Sequence, residues 1–184
     1  MTRIAIVDIE TTGKESIYTD LIVEIGIVEL DLETGVIETL FDSIVKESRF
    51  EEKHSESWIF EISDLTFEDV DNAPPFNQFI PELQEIVDNY MVTSFNTEFD
   101  LGFLKTRGIR ITNELPCIMK TATNICKIPA FWGGYKWPKM QEAWDFFFPS
   151  SDYIEAHRAL DDAVHEAQIL YEMYKEGQFP IRVE

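Results

Sequence analysis

Asp8 and Glu10 close an otherwise apolar run, Ile4-Ala5-Ile6-Val7-Asp8-Ile9-Glu10, and the sequence then turns through Thr11-Thr12-Gly13. Carboxylates two residues apart on a strand share a face, roughly 6.5–7 Å apart along the chain. Ile4 and Ile6 point the same way. Unpaired acids at the end of an apolar row suffer desolvation and mutual repulsion, so the spacing calls for solvent at that strand end or a cation held there. A solitary D-x-E is most often a solvated strand end, and other segments have to decide.

Two later segments place more acids at element boundaries. In VTSFNTEFDLGFL, Asn96, Phe99 and Asp100 lie just past a strand and at the start of a helix, where a carboxylate also favours the helix dipole. In AHRALDDAVHEA, His157 precedes the last helix and Asp161 and Asp162 fall in its first turn. Helical periodicity alone does not separate Asp161 from Asp162. His54, in a charged loop, and His165, inside the helix, read as surface residues rather than ligands.

The elements that must carry these residues follow from pattern. LIVEIGIVEL and GVIETLFDSIV are rich in β-branched residues, and the DLETG link has the residues of a hairpin turn, giving antiparallel strands two and three. KESRFEEKHSES reads as a surface loop. Phe76, Phe79, Ile80, Leu83, Ile86 and Val87 form a helical stripe, with Pro81 near its first turn. MVTSF is a short strand before a helix from about Thr97 to Gly108. CIMKTATNICKI is ambiguous between a strand and a strand-helix pair, KMQEAWDFFF reads as a helix stopped by Pro149, and residues 159–176 form the last helix, with Gly177 as its stop. A hairpin followed by alternating strands and helices indicates an α/β domain with a mixed sheet.

Taken together, the three acidic segments resemble the DEDDh exonucleases, the DnaQ-like group that includes the proofreading subunit of bacterial DNA polymerase III, ribonuclease T and oligoribonuclease. The resemblance runs from Ile4 to about Tyr171. D-x-E-x-T-G is met by Asp8, Glu10, Thr12 and Gly13, N-x-x-F-D by Asn96, Phe99 and Asp100, and H-x-A-x-x-D-A by His157, Ala159, Asp162 and Ala163. Spacing from His157 in that motif selects Asp162 and leaves Asp161 as a neighbour. Phe95 stands where many relatives have His. The resemblance implies a ribonuclease H-like fold, a mixed five-stranded sheet with an antiparallel strand, flanked by helices. It also implies that Asp8, Glu10, Asp100 and Asp162 hold two Mg²⁺ or Mn²⁺ ions, with Asp8 bridging them. On the same resemblance, His157 would accept a proton from the attacking water, and Thr11, Thr12, Asn96 and Phe99 would line the pocket for the terminal nucleotide. Nearby carboxylates are expected to raise the His157 pKa, so activity should fall at acidic pH.

Physical chemistry supplies a reason for that assignment. Four gathered carboxylates repel by on the order of 4 kcal/mol per close pair at an effective dielectric near 20. Two hard divalent cations neutralise them and suit an in-line phosphoryl displacement. The implied activity is removal of nucleoside 5′-monophosphates from single-stranded or frayed DNA 3′ ends, as a proofreading or repair factor with a DNA polymerase as a partner. Trimming of RNA 3′ ends is the runner-up. A non-catalytic module binding nucleic acid or a polymerase has no need for a repulsive acidic cluster. Since the chain ends soon after the last helix, attachment to a polymerase through a long tail like that of the bacterial proofreading subunit is not expected.

The 184 residues, 45% of them hydrophobic, suffice for one domain spanning 1–184. No apolar run approaches the ~20 residues of a membrane span, and MTRIAIVDIE meets acids too soon for a signal peptide, so no membrane association and a cytoplasmic location are expected. Cys117 and Cys126 form no C-x-x-C pair and read as packing residues. A net charge of −20 ordinarily argues against a nucleic-acid partner. Its distribution reverses that reading, because seven basic residues between Lys105 and Lys139 face one acid, Glu114. Within this segment FWGGYKWPK mixes rings with lysines as one lip of a single-strand groove would. QEAWDFFF loosely matches a sliding-clamp peptide through Gln141, Phe147 and Phe148, but its place in a core helix weighs against that role.

Overall fold

A computed structural model describes residues 3–181. One mixed sheet organises it, in the order β3-β2-β1-β4, from β1 (Arg3–Thr11), β2 (Ile22–Asp31), β3 (Ile37–Ile44) and β4 (Met91–Thr93). β1 runs antiparallel to β2 and parallel to β4, so it is central and buried on both faces, as its unbroken Ile4–Val7 run requires. The hairpin between β2 and β3 turns at Gly35, with φ +74°, after Asp31 Oδ1 accepts from the backbone of Glu33 and Thr34.

The expected fifth strand is reduced to a single parallel bridge. Val92 N donates to Asn113 O (2.9 Å) and Leu115 N to Val92 O (2.8 Å), then Pro116 removes the next donor and the ladder stops. The ambiguous CIMKTATNICKI segment resolves as a helix. With it the helices are α1 (Ile59–Ile62), α2 (Phe67–Asp71), α3 (Ile80–Asn89), α4 (Asp100–Thr106), α5 (Ile118–Cys126), α6 (Met140–Phe147) and α7 (Ala159–Lys175). Pro81 sits in the first turn of α3, where its missing N–H costs nothing. No described helix is long and apolar enough to cross a membrane.

Strand alternation sorts β1 into two cores. Ala5, Val7 and Ile9 pack with α3 and α4, while Ile4 and Ile6 pack with α5, α6 and α7. Asp8 and Glu10 therefore point to the side that carries α7. A smaller core of Leu21, Val23, Phe50, Ile59, Leu65 and Val70 lies beneath α1 and α2. Phe95 and Cys117 belong to the α7-side core, where the Cys117 thiol donates to Phe95 O (3.0 Å). Cys117 packs as expected, and Phe95 fills apolar space.

How closely α7 lies on the sheet depends on Gly26. A Cβ at this position of β2 meets Ala159 C at 2.3 Å and Leu160 N at 2.4 Å, both backbone atoms that cannot rotate away. Gly26→Ala is expected to lose about 3 kcal/mol of stability by lifting the first turn of α7. Urea unfolding with an unchanged m-value and a lower midpoint checks it.

Candidate active site

Three separate elements deliver the acids. Asp8 and Glu10 end β1, and the β1–β2 pairing slips between Glu10 and Thr11, so the ladder is bent at the point where Glu10 leaves it. The turn that follows is fixed from inside: Thr11 Oγ1 donates to Gly13 O (2.6 Å) and Thr12 Oγ1 accepts from Leu21 N (2.9 Å). Arg107, just past α4, anchors the same loop through Asp20 O (2.5 Å) and the Ile17 carbonyl, and pairs with Glu47 beyond β3 (2.8 Å). Asp100 is the first residue of α4. Asn96 O accepts from Phe99 N (2.8 Å) and Asp100 N (3.0 Å), while Asn96 N donates back to Asp100 Oδ2 (3.3 Å), a closed turn that the N-x-x-F-D spacing makes possible. Phe99 leans on Phe103, with centroids 4.8 Å apart.

Asp162 comes from the first turn of α7, and His157 precedes that helix at φ 53°, a left-handed conformation uncommon for a non-glycine residue. Its neighbours hold it there. Arg158 grips Glu24 of β2 with Nε and Nη2 (3.1 and 2.6 Å) and Asp64 with Nη1 (2.6 Å), while Ala159 N donates to the same Glu24 carboxylate (3.1 Å). Glu24 is buried and acts as a cap for α7 supplied by the sheet. Glu10, His157 and Asp162 offer ligand atoms that all lie within 4.8 Å of one another.

Asp8, Asp100 and a further acid, Glu166, interact electrostatically with the carboxylates of that group. Burial holds the Asp8 carboxyl well above the usual range, and the charges of Glu166, Asp100, Glu10 and Asp162 add to it in that order. Glu10 is raised by burial first and then by Asp162 and Glu24. Asp100 is pushed up to about 7 by burial, against hydrogen bonds that lower it, and Asp162 to about 7 by burial, opposed by the Tyr153 hydroxyl. That hydroxyl lies 2.7 Å from Asp161 Oδ2 and 2.9 Å from Asp162 Oδ1, so Asp161 is a supporting neighbour.

His157 departs from expectation. Its pKa is lowered, because burial outweighs the pull of Asp162 and Lys14 adds to the lowering. The imidazole is thus biased neutral, the form that can take up a proton. Sequence reasoning also missed several of its neighbours. Trp58 stands edge-on to His157, with centroids 5.6 Å apart, and Lys14 Nζ lies 4.1 Å over the Trp58 ring. Glu155 is 3.8 Å from His157 Nδ1. Glu166 is 2% exposed and accepts from Phe95 N (3.1 Å), tying α7 to the Asn96 turn. One helical turn after Asp162 and among Ala163, Ala167 and Leu170, it was detectable only as an acid on an apolar stripe. His165 is not a simple surface residue, since it stacks on Tyr153 at 3.5 Å and meets Trp144 at 4.6 Å. Gln141 of the clamp-like segment is engaged within the fold, with Tyr153 O (3.1 Å) and Glu155 N (2.7 Å).

The exonuclease family model RNase_T matches residues 5–170. The chain belongs to that family. Among curated relatives it is similar to the 3′-5′ exonuclease DinG of Bacillus subtilis, 27% identical over 164 residues, and to a PolC-type DNA polymerase III of Clostridium perfringens, 29% identical over 171 residues. These matches cover 88% and 91% of this chain but only 16% and 11% of the relatives, so the chain corresponds to a small part of each. The fold matches the nuclease domain of 3′hExo, a DEDDh family member, bound to rAMP, with a TM-score of 0.68 at 21% identity, covering 99% of this chain and 96% of that one. It also matches Escherichia coli Exonuclease I in complex with a dA16 oligonucleotide, with a TM-score of 0.70 at 10% identity, covering 95% and 41%. This RNase_T-family site has a donor set that fits hard divalent cations: carboxylate oxygens whose burial and mutual repulsion raise one another's pKa.

Proposed function

We propose that this RNase_T-family protein is a single-domain, metal-dependent 3′-5′ exonuclease that releases nucleoside 5′-monophosphates from DNA 3′ ends in the cytoplasm, in proofreading or repair. The observation that carries this reading is that Glu10, Asp162 and His157 offer ligand atoms within 4.8 Å of one another, with Asp8 and Asp100 near enough for the acids to raise one another's pKa. Asp8, Glu10, Asp100 and Asp162 would hold two Mg²⁺ or Mn²⁺ ions, which would supply neutralisation of the charge that builds up in a displacement at phosphorus. His157 takes the proton from the attacking water. The left-handed turn aims its ring at Glu10 and Asp162, and Trp58 packs against it to hold that aim. Asn96 and Phe99 cradle the terminal nucleotide beside Asp100, and the locked Thr11-Thr12 turn forms the opposite edge.

The PolC-type DNA polymerase III relatives support DNA as substrate and a polymerase as partner, and the DinG relative supports 3′-5′ exonuclease action. Likeness to the 3′hExo nuclease domain, over nearly its full length, favours the second reading, trimming of RNA 3′ ends. End-labelled DNA and RNA oligonucleotides, single- and double-stranded, incubated with Mg²⁺, Mn²⁺ or chelator, test both. The expected result is stepwise shortening of DNA from the 3′ end with 5′-mononucleotide product, abolished by chelator. Faster loss of RNA selects the second reading, and persistence of every substrate refutes the enzyme.

A further inference from the structure

Between α5 and α6 the chain builds a small hairpin that the acid site does not use. Pro129 bridges Tyr135 in antiparallel sense, Ala130 N donates to Gly134 O (3.0 Å) and Lys136 N to Ile128 O (2.9 Å). The tip turns through Gly133 and Gly134, both at positive φ, and holds Phe131 and Trp132 at 89% and 92% exposure, edge to face with centroids 4.7 Å apart. Trp137, at its base, is 57% exposed. None of these rings belongs to a core cluster. Two neighbouring rings this exposed on an ordered hairpin bury little apolar area on folding, which marks them as a contact surface for a ligand.

Both ends of the hairpin lead to the acid site. On one side Lys120 Nζ sits 5.4 Å over the Trp137 ring and pairs with Glu98 (2.5 Å), inside the turn that presents Asp100. On the other, the hairpin runs directly into α6, whose Gln141 holds the Tyr153–Glu155 segment leading to His157. Charge marks the same strip. Lys127 and Lys139, which flank the hairpin, make no close salt bridge among the described residues, although Lys139 feels Glu142 and Glu155, in a chain that is otherwise strongly acidic. Cations without a close salt bridge beside exposed rings suit a ligand with alternating phosphates and flat faces. In a duplex those faces are hidden by stacking and pairing.

We propose that the Phe131–Trp132 hairpin is a stacking platform for the unpaired nucleotides preceding the 3′ end, which makes single-stranded nucleic acid the preferred substrate. The proposal rests on the exonuclease reading of the acid site. Stacking of one base on an aromatic side chain is worth roughly 5- to 150-fold in affinity, whatever the base. Losing both rings should therefore weaken binding of a long strand and leave the chemistry intact.

The test compares the parent protein with a Phe131→Ala/Trp132→Ala variant. Binding is read by anisotropy of 5′-fluorescein dT20 carrying a 3′-terminal phosphorothioate to slow hydrolysis, and of the same strand in a blunt duplex. Chemistry is read on the p-nitrophenyl ester of thymidine 5′-monophosphate, which is too short to reach the hairpin. The expected result is a tenfold or greater rise in Kd for dT20, an unchanged ester rate and little change for the duplex. An unchanged Kd for dT20 overturns the platform, as does equal weakening on duplex, which marks a duplex-binding surface. Loss of the ester rate together with binding overturns it too, since the hairpin is then structural. If the parent binds dT20 through the rings yet hydrolyses neither ester nor oligonucleotide, the exonuclease reading falls while the platform stands.

Discussion

Asp8→Asn should lower exonuclease turnover on the order of 10³-fold while raising the melting temperature of the chelator-treated protein. Turnover falls because a carboxylate central to the site no longer helps neutralise transition-state charge, a loss of several kcal/mol. Stability rises because Asp8 is already held well above its ordinary pKa by burial and by Glu166, Asp100, Glu10 and Asp162, and Asn has no charge to desolvate. The same strain sets a pH dependence. Asp100 and Asp162 titrate near 7 in the folded protein and near 4 when unfolded, so the folded state binds more protons across that interval. Stability of the metal-free protein is therefore greatest below about pH 4 as far as these groups are concerned, and is lost as pH rises through 7. Saturating Mg²⁺ should cancel most of that loss by binding the deprotonated folded state. Melting temperatures recorded from pH 5 to 8, with chelator and with Mg²⁺, check the sign. A chelator curve flat across this range, or a less stable Asp8→Asn protein, contradicts the account.

That cluster also shows what a sequence can and cannot disclose. Asp8, Glu10 and Asp100 were legible as acids at the ends of patterned elements, and strand alternation alone placed Asp8 and Glu10 on one face with Ile4 and Ile6, whereas helical period left Asp161 and Asp162 open and only the motif spacing from His157 selected Asp162. The α7 stripe and the β2–β3 hairpin were legible for the same reason. Glu166 was not, since its value lies in a hydrogen bond to Phe95 N, 71 residues away in the chain. The Glu24–Arg158 clamp spans 134 residues and leaves no local pattern. Nor does the sequence give the sign of the His157 shift, a competition between burial, Asp162 and Lys14 that only packing settles. The fifth strand failed because Pro116 cuts the Asn113–Leu115 segment to one bridge, too short for a propensity to register.

Replacement of His157 distinguishes the base from a ligand. His157→Ala should reduce turnover about 10²- to 10⁴-fold, the usual contribution of a positioned general base, with metal affinity retained. Proximity alone does not decide this, because the imidazole is as near to Glu10 and Asp162 as a ligand would be. The chemistry does: Mg²⁺ takes oxygen in preference to nitrogen, and the surrounding acids supply oxygen in excess. Calorimetric titration with Mn²⁺ should give the same affinity in parent and variant, and a tenfold loss would make His157 a ligand instead. The His157→Asn variant, whose side chain tolerates the left-handed turn, controls for backbone strain at φ 53°. The pH profile separates the roles further. Burial lowers the imidazole pKa below its ordinary value of about 6.5, so parent activity should fall only on the acid side of that value. A limb caused by protonation of Asp100 or Asp162 shifts to lower pH as Mg²⁺ is raised, because metal competes with the proton for the carboxylates. The limb caused by His157 stays where it is, and it disappears from the residual activity of both variants.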